Sequence, residues 1–451
     1  MQYFKPEGDF YVGDCMPFFH DGLFHLFYLV DENHHQALGG LGGHQWAHAS
    51  STDLINWTHH PMAIPISDEL EGSICTGSVS FHEGKYYAFY ATRLRDWKQH
   101  VSLAVSDDCI KFTKIDPKLF YSPPSNYNPN HFRDPVVFLE KKNKIFHMLV
   151  TAELNEYPVT GRGGCLAHLT SNHLEEWKIQ EPFIIPGFPD VPECPDYFFW
   201  NGWYYLIFSN FGKARYRMSR KPLGPWLRPV SDQLDGGASC VMKTAAFHNN
   251  RRISVSWIGT RKEEKDYGHH QFGGYTVFRE LIQHDDGTLG TKFVNEMNPS
   301  GKTINPLEPI PITSKTKCDT QSILFAESNG LGAAVIKNIP LNFHLKTFAV
   351  IVDGNGVFGM RLRSRDTIDT GYDLCFDFPN KTVKLHTNSI TQVNLEKFFW
   401  IEIIAKDSII DVCIGNNRCI IDYCPEQNGE NIWFYGWDKN VAFQEIVITK
   451  L

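Results

Sequence analysis

The 451-residue sequence has no run of 18 apolar residues, no C-x-x-C pair and no cluster of Lys and Arg. Each absence closes off a class. With no long apolar run, no membrane partner is expected. Without C-x-x-C spacing, the eleven cysteines read neither as a zinc ribbon nor as a disulfide scaffold, but as reduced thiols. With 43 Lys and Arg against 51 Asp and Glu, the net charge of -8 disfavours nucleic acid, whose phosphates call for clustered cations. No H-x-H or H-E-x-x-H occurs, and the adjacent pairs His34 and His35, His59 and His60, and His269 and His270 would point to opposite faces of a strand. No metal is therefore expected. No basic and then apolar leader opens the chain, so the expected compartment is the cytoplasm, or a secreted or periplasmic one if a leader has been removed.

Helical periodicity is nearly absent too. Aromatics make up 14% of the chain, and they recur in a pattern. Turn residues followed by an aromatic-rich strand appear in "HDGLFHLFY" (20 to 28), "HEGKYYAFY" (82 to 90), "KKNKIFHML" (141 to 149), "WNGWYYLIF" (200 to 208) and "HNNRRISVSW" (248 to 257). A small-residue strand and a closing aromatic follow at Trp57, Phe112 and Trp177. A period near sixty residues that shortens at the end belongs to propeller blades. The expected fold is all-β: five four-stranded blades over residues 1–300, a connector at 301–319, and an antiparallel β-sandwich at 320–451, where period-two alternation returns.

In a propeller, the first strand of each blade lines the central channel. Three such strands open on an acid: Asp14 in "GDCMPFF", Asp134 in "RDPVVF" and Glu193 in "PECPDYFF". These acids are expected at equivalent innermost positions of blades one, three and four. Carboxyl groups crowded in one pocket raise one another's pKa, and burial adds to that. One ionised and one protonated carboxyl at neutral pH is what glycoside hydrolysis requires.

These stretches resemble glycoside hydrolase family 32, the β-fructosidases. "FRDPVVF" (132 to 138) is similar to that family's R-D-P motif and "PECPDYF" (192 to 198) to its E-C-P-D motif. "GGHQWAHASSTDLINWTHHPMAI" (42 to 64) resembles its W-G-H-A region, "CTGS" (75 to 78) its F-S-G-S region and "FGGYTVFREL" (272 to 281) its last-blade segment. The resemblance implies a five-bladed propeller with a C-terminal sandwich. It also implies a retaining hydrolase of β-fructosides such as sucrose, inulin or levan, which makes an oligo- or polysaccharide the expected partner. Asp14 would be the nucleophile, Glu193 the general acid and base, and Asp134 the transition-state stabiliser, with no metal or organic cofactor required. Arg133 would hold sugar hydroxyls, with Trp46 and Ser78 as further substrate-binding candidates.

The nucleophile loop departs from the family's W-M-N-D-P-N-G. Gly13 stands where the family has Asn, Cys15-Met16-Pro17 follows the acid, and Leu29 replaces a Gln. The lost amides leave open another furanoside, such as an arabinofuranoside, and the catalytic set leaves open fructosyl transfer. An idle carbohydrate-binding propeller is the alternative of another class. Trp46 has a second reading as a core tryptophan, Ser78 as a turn serine, and Cys194 as a small buried hydrophobe. His44 is expected on a surface loop, and Lys243 has no assigned role.

Overall fold

Three of the aromatic-rich repeats are hairpins with two-residue turns. Strand Phe10–His20 passes through Asp21 and Gly22 into Leu23–Glu32, with His20 facing Leu23. Both turn residues are left-handed, at φ 47° and 77°, which matches the turn to the right-handed twist of its strands. Glu83-Gly84 and Asn201-Gly202 repeat the device. The closing aromatics have a physical role as well. In blade one, Ser51 Oγ accepts from the Leu54 N–H at 2.8 Å while Trp57 Nε1 donates to the Leu54 carbonyl at 2.8 Å. Ser171, Leu174 and Trp177 make the same pair of bonds in blade three, at 3.1 and 3.0 Å.

The computed structural model describes every residue except 37–41, 116–120, 157–160, 327–329 and 394. It is a five-bladed β-propeller and a β-sandwich, as the repeats imply. Blades two and three are four-stranded, opening on Glu71–His82 and Tyr127–Glu140. Blade four, opening on Glu193–Trp200, holds three strands, and a single Met218–Leu227 bridge stands where a fourth would pair. Blade five opens on Ser239–Phe247 and continues in Arg251–Arg261 and His270–Gln283. The ring closes where Val12 of the first blade pairs with Gly274 of the last.

The chain divides into two compact units. The first is Met1–Asp232, Cys240–Gly259 and Gln271–Thr288; the second is Gln233–Ser239, Thr260–His270 and Leu289–Leu451. The second unit packs an eight-stranded against a seven-stranded sheet around fully buried residues such as Leu374, Ile403, Phe434 and Phe443. The stretch expected as a connector contributes short strands to it: Lys302–Thr303 pairs with Asn440–Lys450, and Thr316–Cys318 with Ile323–Phe325. All eleven cysteines are free.

Candidate active site

One irregularity, repeated four times, builds the site. In blades one to four the inner strand carries a β-bulge in which two residues oppose one. Gly13 and Asp14 face Leu29, Cys75 and Thr76 face Ala91, Asp134 and Pro135 face Val150, and Cys194 and Pro195 face Phe208. A bulge leaves a residue unpaired and re-aims its side chain. It also explains the prolines of "RDP" and "ECP", which sit inside a buried strand at the one place where no ladder N–H is needed. Asp134 and Cys194 hold the left-handed conformation at φ 57° and 51°, a cost of about 1–3 kcal/mol each by the usual scale for such strain.

The bulges correct the expected equivalence of the three acids. Glu193 precedes its bulge, in the register of Arg133; Asp134 is the first bulge residue and Asp14 the second. The acids are staggered by one residue from blade to blade, so they meet from different directions.

They line one cavity of about 580 Å³, together with Arg133. Both Asp14 oxygens accept hydrogen bonds: Oδ1 from Trp257 Nε1 at 2.9 Å, Oδ2 from Thr76 Oγ1 at 2.5 Å and from the Cys194 thiol at 3.5 Å. Asp134 Oδ2 accepts from the Cys194 N–H at 3.0 Å and from Thr151 Oγ1 at 3.2 Å. Arg133 ties the set together, with Nη2 2.7 Å from Glu193 Oε1 and Nε 3.6 Å from Asp134 Oδ2. Gln99 Oε1 accepts from Arg133 Nη1 at 3.4 Å and from the Phe132 N–H, which holds the guanidinium in place.

Electrostatics act alike on two of the acids. Burial pushes the Glu193 carboxyl above its ordinary value; Arg133 opposes this, and Asp134 and Asp14 add to it. Asp134 is pushed up by burial as well, with Arg133 opposing and Asp14 adding. Glu193 is the most open of the three, with one third of its side chain exposed while Asp134 is almost wholly enclosed. Of the two acids raised by burial, Glu193 is the one that faces the mouth of the channel.

Other expectations are corrected. Trp46 is completely buried, packs on Phe27 and Tyr90, and donates its Nε1–H to the Cys75 carbonyl at 2.9 Å; it is a core residue that braces the second bulge. Ser78 Oγ accepts from the Val137 N–H at 3.3 Å, joining blades two and three away from the cavity. His44, placed on a surface loop by the sequence, is 3% exposed and lines the cavity. Its Nε2 lies 2.9 Å from Oδ1 of the fully buried Asp31. Lys243 gains a role: its Nζ donates to the Pro195 carbonyl at 2.6 Å, supporting the fourth bulge. Asp196, the last acid of "ECPD", accepts from Thr244 N and Oγ1 and is structural.

Sequence reasoning missed Thr76 and Trp257, two of the three donors to Asp14. Thr76 lies in "CTGS", a stretch already singled out, though its bulge is visible only in the structure; Trp257 comes from the second strand of blade five and carried no signal. Asp31, His35 and His44 bring their donor atoms within 4.8 Å of one another. Asp31 accepts from His44 Nε2 and from the His35 N–H, which orients the three side chains.

The family description "Glycosyl hydrolases family 32 N-terminal domain" matches residues 4–292. The chain belongs to glycosyl hydrolase family 32. This family 32 member is 26% identical over 317 residues to raffinose invertase of Escherichia coli, covering 64% of this chain and 63% of that protein. It is 30% identical over 274 residues to the levanbiose-producing levanase of Bacillus subtilis, covering 58% and 46%. The matched parts are thus less than two thirds of each relative's length. Among solved structures, the fold is shared with fructan 1-exohydrolase IIa of Cichorium intybus (TM-score 0.73, 17% identity, 100% and 96% covered). It is also shared with exo-inulinase of Aspergillus awamori (TM-score 0.71, 15% identity, 99% and 96% covered). At these identities the likeness is one of fold.

Proposed function

We propose that this protein is a retaining hydrolase of β-fructosides that works by double displacement. Asp14 is the nucleophile, oriented by donors on both of its oxygens. Glu193 protonates the leaving oxygen and then activates water, and Asp134 with Arg133 holds the sugar ring. The observation that carries this reading is the contact between Arg133 and Glu193 within the cavity that holds Asp14. Burial favours the protonated form of that carboxyl and Arg133 the ionised one, and a general acid that must later act as a base uses both forms. An idle binding site would gain nothing from enclosing three acids.

A specific observation favours a second reading of the sugar. A Cβ built on Gly13 would come 2.7 Å from Phe272 Cε1, so the ring occupies the space that the family's Asn side chain would need. Leu29 and Phe272 give that wall of the cavity an apolar surface in place of two amides. A site discriminates strongly only through polar groups it presents. Relaxed choice among furanosides, including arabinofuranosides, follows.

The test is product release from sucrose, inulin, levan and an aryl arabinofuranoside, with Asp14→Asn and Glu193→Gln alongside. Fructose release abolished by both substitutions is expected. Activity on the arabinofuranoside alone would transfer the assignment to that sugar, and silence on all four with sugar binding intact would favour the binding propeller.

A further inference from the structure

The acids leave one part of the cavity wall unexplained. Three groups close together in the chain meet there: Asp31 near the end of strand Leu23–Glu32, His35 in the turn after it, and His44 just before strand Gln45–Ser51. His35 and His44 line the acid cavity, and Asp31 is fully buried. Their donor atoms all lie within 4.8 Å of one another. His44 Nε2 is 2.9 Å from Asp31 Oδ1, and His35 Nε2 is 3.8 Å from the same oxygen. Two ligands held tetrahedrally on one zinc ion, with bonds of about 2.0–2.1 Å, stand about 3.3 Å apart. The two spans bracket that separation.

His35 supplies a second observation. Its Nε2 is a buried atom with no hydrogen-bond partner among the described residues. At 3.8 Å it approaches a carboxylate oxygen that it is too far away to bond. His44 coordinates through Nε2 only when that nitrogen is free of its proton, and Nδ1, also without a partner among the described residues, is then the protonated nitrogen.

The surroundings hold the three groups in place. The Phe272 ring lies 4.7 Å from the His44 ring, nearly parallel at 18°, and 4.2 Å from the His35 ring. The His35 N–H donates to both Asp31 oxygens, at 3.3 and 3.2 Å. Metal sites carry such an outer layer to orient their ligands. One charge opposes a bound cation: Arg93 lines the same cavity, with its Nη2 donating to the Gly42 carbonyl at 3.2 Å. Asp31 balances that charge when both imidazoles are neutral.

We propose that Asp31, His35 and His44 bind a divalent cation of the zinc class in the wall of the acid cavity. Two imidazole nitrogens and one carboxylate oxygen suit zinc, whereas calcium and magnesium take oxygen ligands. Three protein ligands leave one tetrahedral position, and water from the cavity completes it. Paired-histidine motifs do not reveal this group, because its ligands come from a strand, a turn and the approach to the next strand.

The experiment is calorimetric titration of the chelator-treated protein with zinc chloride, repeated with cobalt(II) chloride so that the absorption spectrum reports the ligands. One zinc per chain is expected, with a Kd below about 10 μM. His35→Ala alters a side chain that is 30% exposed, and it is expected to weaken binding by about 100-fold. His60→Gln, at an imidazole stacked on His48 in the same blade, is expected to leave binding unchanged. The cobalt spectrum is expected to show nitrogen and oxygen ligation without a thiolate charge-transfer band, which separates this site from the eleven free cysteines.

Less than half an equivalent bound at about 100 μM zinc would overturn the proposal. So would a thiolate band, undiminished affinity in His35→Ala, or a loss found in His60→Gln instead. Should His35→Ala not fold, the stoichiometry and the cobalt spectrum of the unsubstituted protein decide. Zinc binding needs no substrate, so its failure is distinguishable from failure of the fructosidase reading.

Discussion

Arg133 Nη2 lies 2.7 Å from Glu193 Oε1 because the two residues hold the same register, one place before the bulge, in adjacent blades. The cation favours the ionised form of Glu193 and burial favours the neutral one. Replacing Arg133 by Met removes the opposing influence, so the Glu193 carboxyl rises further. The alkaline limb of kcat/KM, which reports loss of the acid's proton, is expected to move to higher pH while activity falls by about 100-fold or more through lost positioning. A pH profile of the variant checks this; an unmoved alkaline limb would separate Glu193 from the acid role.

Thr76 shows how a bulge residue of one blade serves the acid of another. Its hydroxyl donates to Asp14 Oδ2. Thr76→Val keeps the shape and removes the donor, which leaves a buried acceptor short of a partner, at a cost of about 1–3 kcal/mol. Turnover is expected to fall roughly 10- to 100-fold, measured on the best fructoside of the panel, with the melting temperature lowered by a few degrees at most.

Gly13 is required by Phe272 rather than by its own backbone conformation. Gly13→Ala is expected to destabilise the fold by about 1–3 kcal/mol, the usual cost of overpacking. Gly13→Asn is expected to cost more, and the added substitution Phe272→Ala to recover part of that loss, because the two sites share one space. Denaturant midpoints of the three variants measure both effects.

Stability against acid depends on histidines paired inside the blades. His25 Nδ1 lies 3.0 Å from His48 Nε2 in blade one, and His147 Nδ1 lies 2.8 Å from His168 Nε2 in blade three. Burial, followed by the neighbouring imidazoles, lowers His25 to about 4 and His48 to about 2, and His168 is lowered to about 4 by burial and His147. In each case the folded value lies below the unfolded 6.5, so the unfolded chain binds more protons between them. The stabilisation is complete above pH 6.5 and is lost as the pH falls through the folded values, at roughly 3 kcal/mol for a shift of that size. Melting temperature is expected to fall steadily from pH 6.5 to 4, and His48→Gln to flatten that slope.

The blades were legible because a two-residue turn and a strand period of two leave a local pattern, and "HDGLFHLFY" carries both. The three acids were legible because a charge at the head of a buried strand has few other uses. Their stagger was not: a bulge is a property of two paired strands, and only the partner, such as Val150 opposite Asp134 and Pro135, shows that a residue is extra. The core reading of Trp46 and the inward turn of His44 could not be decided from the sequence either. Trp46 packs into the core from the strand Gln45–Ser51, while His44, just before that strand and held by Asp31 and Ser73, turns inward.

The central claim is that Asp14 and Glu193 act in sequence on one glycosidic bond. Its most direct measurement is the anomeric form of the first-released sugar, followed by NMR during cleavage of the best substrate in the panel, with Asp14→Asn as control. The account predicts retention, with the β-anomer appearing first from a β-fructoside, and no release by Asp14→Asn. First appearance of the inverted anomer, or full turnover by Asp14→Asn, would contradict it.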